Sequence, residues 1–176
     1  MDWIQIGGGI LILLVAVGGV LFYTLTQQRA AIEEDKSPEL PPERAKPAAS
    51  RAPVVVELAA GSALAAQIRD HAERAEARGL RPFIELGAVW CPPSKLFGDA
   101  LADPRMSAAL AGVYLIRADI DVFGGDPLLT ELRVTSVPAF YELDAAGRAT
   151  GRSMTGAAWG ADTVENMADA MAKFCA

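Results

Sequence analysis

Apolar residues run almost without interruption from Ile4 to Thr24, and Gln5 is the only strongly polar position before the threonine. At a helical rise of about 1.5 Å per residue, such a run crosses a hydrocarbon core of about 30 Å. The pattern predicts a transmembrane anchor over residues 1–26, with Trp3 and Tyr23 at the two interfaces. A cleaved signal peptide fits less well: Met1-Asp2-Trp3 offers no basic side chain, and the apolar run is long for a secretory leader. Glycines at 7, 8 and 9 recur at 18 and 19, close to three helical turns later, and so share one face. That face either admits a second helix or a flat cofactor at close range or reflects the general abundance of glycine in membrane helices.

The pattern changes over residues 27–52. Glu33-Glu34-Asp35-Lys36, Ser37-Pro38-Glu39-Leu40-Pro41-Pro42-Glu43-Arg44 and Pro47-Ala48-Ala49-Ser50 combine charge and proline with almost no large apolar side chains, which predicts an extended linker. A folded domain is expected over 53–176. It opens with the β-branched run Val54-Val55-Val56-Glu57-Leu58. A helix then follows from Ala63 to Arg78, with Ser62 as candidate N-cap, Gly79 as candidate stop, and His71 on its exposed side among solvated charges. Pro82–Val89 predicts a second strand, Lys95–Ala102 a helix, and Asp103-Pro104 a break and restart. Val113–Asp121 predicts a buried strand, and Asp126–Leu132 a short helix capped by Asp126 with Pro127 at its first position. Val134–Leu143 and Arg148–Thr155 predict a hairpin turning at Asp144–Gly147, and Asp162–Phe174 a closing amphipathic helix.

Composition narrows the function classes. A net charge of −6 without a basic stripe argues against nucleic acid as a partner. Two cysteines, Cys91 and Cys175, are too few for a disulfide scaffold, and the single histidine, His71, leaves zinc without a ligand set. No metal and no other cofactor is expected.

The candidate chemistry centres on Trp90-Cys91-Pro92-Pro93-Ser94. A strand delivers Cys91 to the start of a helix, where unpaired backbone N–H groups carry partial positive charge and favour a thiolate. Proline suits the next positions because its missing N–H would be orphaned there. Within the second strand, alternation places Glu85 on the face of Phe83 and Gly87, opposite Ile84 and Leu86. A carboxyl buried there has its pKa raised unless it finds a partner.

Trp-Cys-Pro-Pro resembles the active site of thioredoxin-like proteins, usually Trp-Cys-x-x-Cys, and most closely the form found in tryparedoxins and membrane-anchored bacterial members. Thr135-Ser136-Val137-Pro138 at the head of a strand resembles the cis-proline segment of the same family, and Asp119-Ile120-Asp121 ends a strand as in members that relay electrons across bacterial membranes. The resemblance covers about Pro53 to Phe174. It implies a thioredoxin-like α/β fold with a central mixed sheet flanked by helices, and a substrate groove formed by Trp90, Pro92, Val137 and Pro138. It also implies that Glu85, six residues before Cys91, occupies the place of a buried proton carrier. A trans proline at 138 and a purely structural Glu85 stay open on the residues alone.

Ser94 stands where the family has its second cysteine. A dithiol site reduces a disulfide through a mixed disulfide that the second cysteine resolves, and a hydroxyl cannot do this. Ser94 is instead expected to donate a hydrogen bond to Cys91 and stabilise its thiolate. If the site is active, Cys91, Ser94 and Glu85 are its catalytic set. The leading expectation is an accessory or binding subunit of a membrane protein assembly, contacting it through the N-terminal helix and the soluble domain and holding a thiol-bearing client. The alternative is a monothiol exchange enzyme acting on mixed disulfides through Cys91. Most anchored relatives face outward, which places the domain in the periplasm of a bacterial inner membrane. Arg29, Lys36 and Arg44 after the span count the other way. Cys175, at the far end of the last helix, is expected to form no bond with Cys91, with a link between chains left open.

Overall fold

Phe83, Ile84 and Leu86 on one strand and Val113, Leu115 and Ile116 on its neighbour are all shielded from solvent, as a strand covered on both faces requires. These strands, β2 (Arg81–Gly87) and β3 (Val113–Asp119), lie parallel at the centre of the sheet. The computed structural model describes residues 51–176. The expected anchor over 1–26 and the linker up to residue 50 lie outside the described residues, among which no helix is long and apolar enough to cross a membrane.

The remaining elements are β1 (Val54–Glu57), α1 (Leu64–Ala77), α2 (Pro92–Ala100), α3 (Pro104–Ala109), α4 (Pro127–Glu131), β4 (Ala139–Leu143), β5 (Ala149–Thr155) and α5 (Val164–Phe174). A 3₁₀ turn over Gly156–Trp159 precedes α5. The sheet order is β1-β3-β2-β4-β5. β1 and β2 pair with β3 in parallel, whereas β4 runs antiparallel to β2 and β5 antiparallel to β4. The expected mixed sheet is therefore present, and the alternation read along β2 divides two cores. Phe83 joins Phe97, Met106, Phe140, Trp159 and Met171 on the face covered by α2, α3 and α5. Ile84 and Leu86 join Leu64, Ile68 and Ile116 under α1. Phe97 stacks on Trp159 with 5.9 Å between ring centroids and meets the edge of Phe140 at 4.9 Å, which seats α2 on the sheet.

The end of α1 follows its sequence. Gly79 has φ +61°, its N–H donates to Glu76 O at 2.8 Å, and Leu80 N–H donates to Ala75 O at 2.9 Å with the Leu80 side chain buried. This is the six-to-one and five-to-two bonding that a left-handed residue after a helix allows. Its start differs from expectation. Ser62 supplies no cap; the Leu64 N–H instead reaches Asp126 Oδ2 at 2.9 Å, 62 residues away. Asp126 also caps its own helix, Oδ1 accepting from Leu128 N at 3.0 Å. One carboxylate thus serves two helix starts, a division of labour that local spacing does not reveal. Asp126→Ala leaves two backbone donors unserved and is expected to lower stability by about 1–2 kcal/mol, read from the denaturant midpoint.

Two further positions depart from expectation. His71 is half-buried, not exposed: its Nδ1 lies 2.9 Å from the Tyr114 hydroxyl, and burial, reinforced by Arg74, pushes its pKa below the usual histidine range. The last helix starts at Val164 with Thr163 as its cap, because Asp162 is engaged with the Trp159 indole N–H at 2.7 Å.

Candidate functional site

The chain leaves β2 at Gly87 and reaches α2 through Ala88-Val89-Trp90. Cys91 has extended backbone angles (φ −89°, ψ 113°) and is the residue before the first helical turn, with Pro92 and Pro93 filling positions where an N–H has no helical partner. Its carbonyl accepts from Lys95 N at 3.1 Å, which closes the first turn.

Cys91 is 6 % exposed, and its Sγ donates to the Val137 carbonyl at 3.3 Å. The Val137–Pro138 peptide is cis. Pro138 is buried, its carbonyl accepts from Gly156 N at 2.9 Å, and a Cβ on Gly156 would lie 3.0 Å from Pro138 Cδ. The close approach accounts for a glycine at 156. The fold therefore brings Cys91, Val137 and Pro138 together from regions 46 residues apart.

Trp90 is 63 % exposed and Pro92 is exposed beside it. The Trp90 indole N–H donates to Asp121 Oδ2 at 2.7 Å. Asp119 accepts from Val89 N at 3.1 Å through Oδ2 and from Asp121 N at 2.8 Å through Oδ1. Asp119, the last residue of β3, and Asp121, in the turn just beyond it, thus hold the loop carrying Trp90. Sequence reasoning registered the Asp-Ile-Asp segment without this role; its placement at the end of a central parallel strand, where such sheets expose their loops, was the available signal.

Glu85 and Ser94 occupy a different side of the helix start. Both are buried, 1 % and 3 % exposed, and among the described residues Glu85 Oε1 and Ser94 Oγ have no hydrogen-bond partner. The expected hydrogen bond from Ser94 to Cys91 is absent, because the Cys91 thiol is directed to Val137 while Ser94 lines a cleft that Cys91 does not reach. Glu85 does find a partner: Arg117 Nε donates to Oε2 at 2.7 Å, and Arg117 Nη1 reaches Glu57 Oε1 at 2.6 Å. The pairing follows from register, since Arg117 stands opposite Glu85 on one side and Glu57 on the other. Burial nonetheless raises the Glu85 pKa above the usual carboxylate range, with Arg117 opposing. Sequence reasoning missed Arg117, although a lone arginine inside an apolar strand was a visible sign of a buried acid nearby.

Both cysteines are free thiols. Cys175 is 5 % exposed, and burial pushes its thiol up to about 12, which leaves the sulfur poorly placed for a link between chains. Among the described residues no group of three or more His, Cys, Asp or Glu side chains could hold a metal ion.

No protein-family model and no curated protein matches the chain. Solved structures do resemble it. The disulphide isomerase from Xylella fastidiosa Temecula1 superposes with a TM-score of 0.52 at 15% identity, over 61% of this chain and 88% of that one. Thioredoxin O1 from Arabidopsis thaliana gives 0.47 at 20% identity, over 70% and 99%. At these identities the likeness to the isomerase shows a fold: the described residues form a thioredoxin-like α/β domain with a mixed five-stranded sheet.

Proposed function

We propose that this chain is a membrane-tethered accessory or binding subunit of a membrane protein assembly, in which a thioredoxin-like domain holds a client without completing dithiol redox cycles. Ser94 carries the reading. A buried hydroxyl stands where a resolving thiol would be needed, and it makes no hydrogen bond to Cys91. The surface around Cys91 suits contact with a protein: Val89 and Trp90 are 75 % and 63 % exposed, an unusual amount of large apolar surface at one loop. The apolar segment Ile4–Thr24 supports tethering, and the resemblance to outward-facing anchored proteins supports a periplasmic domain on a bacterial inner membrane.

A second reading is monothiol exchange. Cys91 beside Val137 and Pro138 is favourably placed for a client backbone to lie across the sulfur. Its thiolate would attack a mixed disulfide, take one sulfur of the client and release the other as a thiol, and an external thiol would then regenerate Cys91.

One preparation separates the two. Purified from membranes in mild detergent, the full chain is expected to run in a complex larger than itself, and Cys91→Ser is expected to leave that complex intact. A free monomer overturns the subunit reading. Transfer of glutathione from a glutathionylated peptide, abolished by Cys91→Ser, would establish exchange in its place.

A further inference from the structure

Between α2 and the ends of β1, β2 and β3 lies a cleft of about 570 Å³, a volume within the range of small-ligand sites. It is separate from the Cys91–Val137 contact, since neither Cys91 nor Pro138 lines it. Glu85 and Ser94 both line it, and each holds just beneath its wall an oxygen, Oε1 and Oγ, that is shielded from solvent and has no hydrogen-bond partner among the described residues. The two side chains converge at Gly87: the point a Cβ would occupy on that residue is 2.5 Å from Glu85 Oε1 and 3.4 Å from Ser94 Cβ. Any larger residue at 87 would collide with the carboxylate oxygen. Arg117 does not serve Oε1, because its Nε is bound to Oε2 and its Nη1 to Glu57.

The lining selects the kind of group that fits. Four carboxylates, Glu57, Glu85, Asp99 and Asp119, face two cations, Lys95 and Arg117, so an anion is disfavoured. Leu58, Ala88, Val89 and Val122 supply apolar wall that suits an alkyl stem. Two buried acceptors without donors carry a desolvation cost that a ligand with several N–H groups would offset. We infer that the cleft binds a primary alkylammonium, supplied by a free amine or by the lysine side chain of a docked segment, with the Glu85 and Ser94 side chains turning toward the cleft so that the ammonium donates to Oε1 and Oγ. Binding strengthens as pH rises through the titration of Glu85. Arg117 on β3, Glu57 on β1, Asp119 at the end of β3, and Lys95 and Asp99 on α2 are the charged groups around it. This site operates whether or not Cys91 exchanges disulfides.

The test uses the full chain in detergent micelles, with amide NMR shifts followed during titration with n-butylammonium, an acetyl-Gly-Lys-Gly-amide peptide, and the same peptide with norleucine for lysine. Shifts are expected at Gly87, Ser94 and Gly98 with the first two probes and not with the third. Glu85→Gln is expected to weaken binding about tenfold or more, as loss of a charged hydrogen bond implies. Asp99→Asn, an exposed position that does not threaten the fold, is expected to weaken it about twofold. A lysine peptide that binds more tightly than butylammonium identifies a docked segment as the source, and equal or weaker binding identifies a free amine. No binding by either amine, equal binding of the norleucine peptide, shifts confined to other residues, or affinity untouched by both variants overturns the inference.

Discussion

Ser94→Cys is expected to turn a site that cannot complete a cycle into a dithiol reductase. In the wild type, a Cys91 thiolate that attacked a client disulfide would form a Cys91–client bond and release one client thiol, and the reaction would then wait for an outside thiol. The substitution places a sulfur three residues along α2, at a buried position already open to a cleft on one side, so it is accommodated without displacing the core. The introduced thiolate attacks Cys91 Sγ, expels the second client thiol, and leaves the protein oxidised by two electrons until a reductant such as dithiothreitol restores it. Because this step is intramolecular, reduction of a protein disulfide should rise about a hundredfold or more over wild type at about 1 mM external thiol. Mass spectrometry of the oxidised variant should show the protein two hydrogens lighter. A variant that keeps both thiols under oxidant and stays at the wild-type rate would show that positions 91 and 94 are not mutually accessible.

That prediction rests on parts of the structure that the sequence made legible. The run Pro82–Val89 followed by a helical pattern places Cys91 at a strand-to-helix junction, since a largely apolar strand must be covered on both faces and the next segment must pack back on it. Pro138 beside Cys91 followed from the likeness of Val137-Pro138 to a known segment; periodicity alone places it only near a strand head. What stayed hidden depends on contacts between distant residues. Asp126 as the cap of α1 is one case, because only the folded chain brings it to Leu64. The partner of Cys91 is another: spacing offers Ser94, three residues away, as a donor to the sulfur, whereas in the folded chain the thiol itself donates to a carbonyl 46 residues away. His71 was misplaced for a similar reason, as its helical face is polar but Tyr114 rises from β3 to meet it.

Arg117→Ala is expected to destabilise the described domain strongly at neutral pH. It strips the only partner among the described residues from a carboxylate that is 1 % exposed, and breaking a buried pair from one side costs about 3–5 kcal/mol because the remaining charge stays uncompensated. The bond to Glu57 adds little, since that side chain is 74% exposed. The pH dependence has a definite sign. Burial raises the Glu85 pKa in the folded chain, so the folded state holds a proton that the unfolded state releases, and stability falls as pH rises from the ordinary carboxylate range through the folded value. Without Arg117 the folded value rises further and the fall is deeper. The variant should therefore be close to wild type in acid and lose roughly 10 °C or more of melting temperature near pH 7. Adding Glu85→Gln removes the charge that makes the loss so large, and the double variant should recover most of it at pH 7 while showing a flatter pH profile than Arg117→Ala alone. If Arg117→Ala melts within a few degrees of wild type across that pH range, Glu85 is not held as an ion by Arg117. The carboxyl would then be neutral in the native protein, and the ammonium site drawn around its free oxygen would lose its anchor.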